Sequence, residues 1–245
     1  KTAAEVLAEN QQAHDEDGAD AASDAQYEET DAVTIALGGS SATSSDSESV
    51  TIDGTTVTIS GAGTFVLSGE LEGQIVVNSE VDGQVKLVLD GVDISNSAGA
   101  ALDIMAADEA VVILAAGASN ALSDGAGVSA DRASAALNSA ADLTITGTGS
   151  LDVTGAANDG IASSDGLIIQ SGTITVHAVD DGIRGKDYLI VRGGSIDVVA
   201  GGDGLKSDNE EDATRGYIAL LGGDTTITSD DEGLDAFTDV VVTEV

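Results

Sequence analysis

Acidic residues recur at one position of an internal repeat in this 245-residue chain. Each stands directly before a turn glycine in the segments NDGI, DDGI, GDGL and DEGL, and the four are Asp159, Asp181, Asp203 and Glu232. Asp180 and Asp231 add a second carboxylate at two of the four turns. Carboxylate oxygens are the ligands that a hard divalent cation such as calcium prefers. The pattern therefore predicts calcium binding through these six residues.

The spacing of the turns predicts that these carboxylates stack. Gly160, Gly182 and Gly204 follow one another at intervals of 22 residues, and Gly233 follows after 29 because SDNEEDATRG contains seven extra residues. If each repeat forms one coil of a β-solenoid, equivalent residues lie about 4.8 Å apart. Two like charges about 5 Å apart repel by about 3 kcal/mol at an effective dielectric constant near 20. The column must therefore face water, become partly protonated or bind a cation.

Calcium fits the third way of relieving the repulsion. Its oxygen ligands lie at about 2.3–2.6 Å, so two carboxylates on opposite sides of one ion can be almost 5 Å apart. The alternative is ordinary turn chemistry, since Asp bonds its own backbone and Gly adopts a positive φ. Turn chemistry explains any single Asp-Gly pair, but it does not require charge to repeat in register.

The insertion after the third turn is a second candidate cation site. It places oxygen-bearing side chains at five consecutive positions, and its predicted ligands are Asp208, Asn209, Glu211 and Asp212. The spacing does not match the D-x-[DN]-x-[DN]-G pattern of an EF-hand. A solvated acidic loop is the alternative interpretation.

Basic and aromatic side chains lie beside the acidic turns. Five of the eight basic residues fall between positions 184 and 215, and Tyr188 and Tyr217 occupy equivalent repeat positions. The cations either neutralise the aspartates locally or contact an acidic sugar alongside calcium, and the two rings either stack as a small platform or pack on a turn. The predicted carbohydrate contacts are Arg184, Lys186, Tyr188, Lys206, Arg215 and Tyr217.

Short apolar strands must position these residues. From Val50 onward, runs such as Val57–Ile59, Ile75–Val77 and Val85–Leu89 alternate with glycine and aspartate turns, and the chain contains no proline. A repeat of 22 residues with two or three strands and no helix predicts one coil of a parallel β-helix. We expect an all-β, single right-handed parallel β-helix, from the usual chirality of parallel crossovers.

Two inward-facing ladders are predicted along this β-helix. Residues at equivalent positions of successive coils stack on one another, which gives one ladder of Ile161, Ile183, Leu205 and Leu234 and a second ladder of Ile174, Ile196 and Ile227. With 42% hydrophobic and only 2% aromatic residues, the core must consist of Val, Ile, Leu and Ala.

The chain divides into an N-terminal part, residues 1–49, and a β-helix domain, residues 50–245. The first ten residues predict a short helix capped by Thr2, with Ala3, Val6 and Leu7 on one face. Residues 11–31 are acidic and predict a loop, which a capping strand at 33–37 and a long polar turn follow.

Composition excludes several functions. The formal charge of -36 repels nucleic acid and anionic membranes. The chain has no cysteine and only two histidines, so thiolate zinc sites and histidine-rich metal sites are excluded. It contains no apolar run of about 18 residues, so no transmembrane segment is expected. The chain starts on polar sequence without a signal segment, so an exported protein is expected to be in processed form here. It ends on VVVTEV, a strand in progress, so we expect either a truncated chain or an open coil that another molecule covers, a second copy included.

The stretch DDGIRGKDYLIVRGGSIDVVAGGDGLKSDNEEDATRGYIALLGG resembles a family of carbohydrate-binding β-helix proteins, first recognised in a secreted cellulose- and pectin-binding protein of cellulolytic bacteria. The similarity extends from TAAEVLAEN through LVLDGVDI and NDGIASSD to DEGLDAF. The resemblance implies a fold like that of polysaccharide lyases, bound calcium, a secreted or cell-surface location and a polysaccharide ligand.

Three functions remain open at this stage. The leading hypothesis is a non-catalytic, calcium-dependent protein that binds plant-type or acidic polysaccharide such as pectin or polygalacturonate, or cellulose. The second is a calcium-dependent polysaccharide lyase acting on uronates, with Arg184, Lys186 or Lys206 as the base. The third is a structural component of a surface or filament.

Overall fold

A computed structural model describes residues 1–14, 23–126 and 135–243. The protein is an all-β solenoid of parallel strands with almost no helix, about seven turns and about 25 residues per turn. This confirms the predicted parallel β-helix. The 22-residue period holds where it was read, because Ile161 pairs with Ile183 and Ile183 pairs with Leu205. The right-handed sense stays a prediction.

The helices and strands are short. In chain order they are α1 (Ala3–Leu7), a 3-10 turn (Glu29–Asp31), β1 (Val33–Gly39), β2 (Ala42–Ser44), β3 (Val50–Asp53), β4 (Thr56–Ile59), β5 (Gly63–Glu72), β6 (Gln74–Asn78), β7 (Gln84–Asn96), β8 (Leu102–Ala106), β9 (Glu109–Leu114), β10 (Ser119–Asp124), β11 (Ala135–Ser139), β12 (Leu143–Gly147), β13 (Ser150–Gly155), β14 (Asp159–Ser163), β15 (Gly166–Ile169), β16 (Thr173–Ala178), β17 (Ile183–Gly185), β18 (Tyr188–Val191), β19 (Ser195–Ala200), β20 (Leu205–Ser207), β21 (Tyr217–Leu220), β22 (Asp224–Ser229), β23 (Leu234–Ala236) and β24 (Val240–Val242).

The strands form three faces. Face 1 is a nine-stranded sheet in the order β23-β20-β17-β14-β11-β8-β6-β4-β3. A second sheet bends into face 2 (β9, β12, β15, β18, β21, β24) and face 3 (β10, β13, β16, β19, β22). The long strand β7 joins them, because Gln84–Leu89 pairs with β9 and Asp93–Asn96 pairs with β10. Each later coil therefore contributes one strand to each face.

Inward-facing side chains form the core and stack as ladders. The predicted ladder of face 1, Ile161, Ile183, Leu205 and Leu234, is confirmed. On face 3, Ile174 pairs with Ile196, but Ile196 pairs with Thr225, so placing Ile227 in this ladder was wrong. Ile227 pairs instead with Val198, two residues further along, and the two-residue period of a strand still directs it inward.

Face 2 is buried on both sides, because the N-terminal segment covers its outer surface. All four residues of β15 and of β18 are buried. Outward-facing Ile168, Ile190 and Ala219 form a cluster with which residues of the N-terminal helix pack. This explains why β15 and β18 of face 2 carry no polar alternation, whereas β16 and β19 alternate.

The predicted N-terminal helix is confirmed as α1. Thr2 and Glu5 form a capping box, with the Glu5 N–H donating to Thr2 Oγ1 and the Thr2 N–H donating to the Glu5 carboxylate. Ala3, Val6 and Leu7 are its apolar contacts, as expected. The helix lies against face 2 beside β24, and the segment leads back to β1, which pairs with β5. Residues 15–22 of the predicted acidic loop lie outside the described residues.

Hydropathy along the helices of the described chain identifies none that is long and apolar enough to span a bilayer.

Candidate functional site

The acidic column lies at the corner where each coil enters face 1, and its members stack as the repeat predicts. The backbone N–H of Asp181 donates to Asp159 Oδ1 at 3.2 Å, and that of Asp203 donates to Asp181 Oδ1 at 2.9 Å. The N–H of Glu232 donates to Asp203 Oδ1 at 3.1 Å. The first three residues of the column are buried. One oxygen of each buried carboxylate is therefore satisfied by the next coil.

Cations from face 1 occupy the other side of the column. Lys206 Nζ lies 2.7 Å from Asp203 Oδ2 and 3.1 Å from Asp181 Oδ2. Arg184 Nε lies 3.4 Å from Asp159 Oδ2, and its Nη1 donates to Asp208 Oδ2 at 3.1 Å. Arg184 and Lys206 are paired across β17 and β20, so they rise in step with the carboxylates. Local charge compensation, one of the two interpretations of these cations, is thus present in the fold.

The first and third carboxyl groups of the column, Asp159 and Asp203, have pKa values shifted in opposite directions. Burial raises the pKa of Asp159 to about 7, the Asp181 carboxylate adds to the effect, and Arg184 opposes it. Burial also acts to raise the pKa of Asp203, but hydrogen bonds from Lys206 and from the Glu232 N–H outweigh it and hold that pKa below its usual value. Burial acts to lower the pKa of Lys206, but Asp203 and Asp181 raise it well above its ordinary value.

A triad of carboxylates stands at the last turn of the column. Asp203, Asp231 and Glu232 each offer an oxygen within 4.8 Å of the others, and Asp231 and Glu232 are exposed. Hydrogen bonding with Asp231 and Asp203 raises the pKa of Glu232. Carboxylate oxygens at this separation fit one calcium ion, whose ligands lie at about 2.3–2.6 Å. Among the described residues, this triad is the group of acids that fits a metal ion.

The other predicted calcium ligands are placed differently. Asp180 is exposed beside the column. Asn209 is buried; its Oδ1 accepts the N–H groups of Glu211 and Asp212 at 2.9 and 3.1 Å. Asp212 Oδ1 accepts both the N–H and the hydroxyl of Thr214. The oxygens of the insertion therefore already organise their own loop.

The sequence reasoning missed two aspartates here, Asp187, which supports this loop, and Asp165, which lies beside Asp187. Asp187 is buried; its Oδ1 accepts Asn209 Nδ2 at 2.5 Å, and Arg215 Nη1 lies 2.8 Å from its Oδ2. Burial, together with the neighbouring Asp187 carboxyl, raises the pKa of Asp165 to about 6. Asp165 and Asp187 stand 22 residues apart, so the repeat that revealed the column also contained this second pair.

The predicted aromatic contacts lie under the N-terminal segment. Tyr188 and Tyr217 are 1% and 2% exposed, and their ring centroids lie 5.6 Å apart. The Tyr188 hydroxyl is 2.7 Å from His14 Nδ1, and the Tyr217 hydroxyl donates to the Gln11 carbonyl at 2.8 Å. In this arrangement the rings pack against the protein itself and offer no stacking surface to a sugar.

The remaining predicted contact residues are half-buried. Lys186 has no ion pair within the described chain, whereas Arg215 contacts Asp187 and, at 3.7 Å, Asp212. The structure thus brings Arg184, Lys206 and the acidic column together on one corner and leaves the tyrosines elsewhere.

Comparisons with known proteins agree with this architecture. A family described as carbohydrate-binding domain-containing protein matches residues 53–245. A carbohydrate-binding domain-containing protein of Acetivibrio thermocellus is 36% identical over 128 residues, which are 50% of this chain and 45% of that protein, so the match spans less than half of the relative's length. The solved structure of a polysaccharide lyase-like protein from C. thermocellum, a gadolinium derivative, superimposes with a TM-score of 0.81 at 27% identity, over 86% of this chain and 97% of the other.

Proposed function

Because the chain belongs to the family of carbohydrate-binding domain-containing proteins, we propose that it is a non-catalytic protein that binds polysaccharide with the help of calcium. The observation that carries the calcium dependence is the triad of Asp203, Asp231 and Glu232. Its three oxygens lie within 4.8 Å of one another, and two of the three side chains face solvent. An ion held there remains open on one side to a ligand from solution.

The charges around the triad determine which sugar suits it. The whole chain carries a formal charge of -36, so an acidic polysaccharide is repelled everywhere except near a local cation. Lys206 supplies one such charge, and calcium at the triad supplies a second, which would bridge a uronate carboxylate to the protein. Polygalacturonate, the backbone of pectin, is the ligand class that this arrangement favours.

Binding without catalysis agrees with the raised pKa of Lys206 and with the ion pairs of Arg184. A lyase base must be close to neutral at the working pH. The aspartates on either side raise the pKa of Lys206 well above its ordinary value, and Arg184 is held by Asp159 and Asp208. Lys206 is therefore a cation and not a free base. A lyase on this fold would depend on Lys186, which is half-buried directly after β17, at the opposite end of that strand from Asp181.

We infer an extracellular location, because polysaccharides of this class lie outside the cell. Self-association through the last coil stays a prediction, which light scattering with and without calcium tests.

Titration calorimetry with calcium and with polygalacturonate tests the proposed function. Calcium should bind the chelator-treated protein, and polygalacturonate should bind only when calcium is present. Glu232→Gln and Asp231→Asn should each weaken calcium binding at least about tenfold, since each removes one charged ligand. Asp152→Asn, which changes an exposed acid of face 3, serves as the control.

The proposal is wrong if chelation changes neither polygalacturonate binding nor thermal stability. A near-ultraviolet absorbance that grows with polygalacturonate, and that Lys186→Ala abolishes, would show an unsaturated product and hence a lyase.

A further inference from the structure

A groove crosses the corner between face 3 and face 1 in the first half of the solenoid. We call it the corner groove, and its lining includes Thr55, Glu72, Ser95, Asn96 and Asp124. Its volume is about 460 Å³, within the range of about 300–1,000 Å³ for small-molecule sites. It lies on the same corner as the acidic column, with Asp124 one coil before Asp159, and several coils away from the triad.

Two neighbouring cavities extend the corner groove along the surface. One of about 380 Å³ shares Thr55 and Asn96 with it and reaches Asp103 on face 1. Another, of about 140 Å³, shares Glu72 and Ser95 and reaches Asp93 on face 3. The three cavities adjoin one another through these shared lining residues, an arrangement that suits an extended chain of sugar units.

Asp124 has an oxygen without a hydrogen-bond partner among the described residues. The residue is 7% exposed; its Oδ1 accepts the N–H of Ala156 at 2.5 Å and the N–H of Ala157 at 3.1 Å. Its Oδ2 is buried and accepts no hydrogen bond from the part of the chain that the structure describes. A buried polar atom without a partner costs about 1–3 kcal/mol, so this oxygen is set to accept a hydrogen bond from a ligand.

The lining chemistry selects the ligand class. Carboxylates, hydroxyls and amides line the described part of the groove, with neither a Lys or Arg side chain nor an aromatic ring among them. A uronate or other anion would be repelled by Glu72 and Asp124. Among the described residues the acids of the groove form no group of three that fits a metal ion. Sugar hydroxyls can donate to the carboxylates and accept from the amides and hydroxyls of the lining.

We propose that the corner groove binds an uncharged sugar unit of a polysaccharide, with Asp124 Oδ2 accepting a sugar hydroxyl. This inference rests on the proposed function, polysaccharide binding, and adds to it a second site that needs no calcium. Hydroxyl-to-carboxylate hydrogen bonds are among the stronger ones, and they replace the aromatic stacking that this groove lacks.

Titration calorimetry with cellohexaose, xylohexaose and mannohexaose tests the site. At least one of these neutral oligosaccharides should bind, and a chelator should not change its affinity. Asp124→Asn keeps an oxygen for the N–H groups of Ala156 and Ala157 but replaces the free acceptor with a donor. The variant should bind the same oligosaccharide at least about tenfold more weakly. Asp152→Asn, an exposed acid outside the groove, should bind as the wild type does.

Thermal unfolding of Asp124→Asn should match the wild type, which separates loss of the site from loss of the fold. The inference is overturned if no neutral oligosaccharide binds, or if Asp124→Asn binds as tightly as the wild type. Polygalacturonate with calcium distinguishes the two sites, since its binding should survive Asp124→Asn. If the wild type binds a neutral oligosaccharide but does not bind polygalacturonate in the presence of calcium, the calcium site is refuted and the corner-groove site is retained.

Discussion

Lys206 holds the acidic column together, and replacing it tests that conclusion directly. Its ammonium lies 2.7 Å from Asp203 and 3.1 Å from Asp181, and a weaker contact of 3.9 Å reaches Asp235. Lys206→Met keeps the aliphatic stem but leaves stacked carboxylates facing one another. At a separation of about 5 Å and an effective dielectric constant near 20, one such pair costs about 3 kcal/mol. Since the Lys206 side chain is 24% exposed, we expect a loss of about 2–3 kcal/mol after solvent screening.

Urea unfolding in the presence of a chelator at pH 7.5 measures this loss. Lys186→Met, the same substitution at a neighbouring half-buried lysine without an ion pair in the described chain, should change the free energy of unfolding by less than about 0.5 kcal/mol. The loss in Lys206→Met should shrink as acid protonates the carboxylates, and calcium should restore part of it. Equal losses in the two variants would refute the assignment of Lys206 as the cation that stabilises the column.

Three further predictions address other parts of the fold. Asp159 has a pKa of about 7, raised from 3.8, so the stability that its protonation contributes is complete below about pH 4 and is lost as the pH rises to 7. Measured by urea unfolding in the presence of a chelator, the free energy of unfolding of Asp159→Asn relative to the wild type should therefore increase by up to about 4 kcal/mol between pH 4 and pH 8. If this difference does not change with pH, the raised pKa of Asp159 is contradicted. His14→Ala removes bonds to Tyr188 and Thr144 and should speed proteolysis of the N-terminal segment, whereas His177→Ala, at an exposed position, should not. Gly166→Ala should lower the melting temperature by several degrees, because its Cβ would lie 2.1 Å from the Tyr188 ring.

The repeat predicted the fold because, in a solenoid, equivalent residues of successive repeats stack on one another. Glycine turns 22 residues apart placed Asp159, Asp181 and Asp203 correctly in one column. The insertion keeps the register, because Leu205 pairs with Leu234, 29 residues further on. The same spacing from Ile196 leads to Thr225, and the error arose because the apolar Ile227, two residues later, was chosen in its place.

The cover over face 2 could not be predicted from local pattern. Tyr188 and Tyr217 occupy equivalent positions whether they face water or the protein, and the sequence alone did not show which. The apolar strands β15 and β18 of face 2 were the available signal, because a sheet with one solvent-exposed face alternates and these two strands do not. What covers Tyr188 is a segment more than 170 residues away in sequence, and its contact through His14 follows only from tertiary packing.

The stacked carboxylates bear on calcium affinity as well as on stability. Backbone N–H groups and the cations Arg184 and Lys206 already neutralise the buried part of the column, so little is gained there by binding an ion. At the last turn, Asp231 and Glu232 extend into solvent, and the carboxylates crowd one another enough to raise the pKa of Glu232. An ion bound at that turn relieves repulsion that no side chain of the fold fully relieves. Calcium affinity should therefore increase when Lys206 is removed, because the ammonium competes with the ion for Asp203.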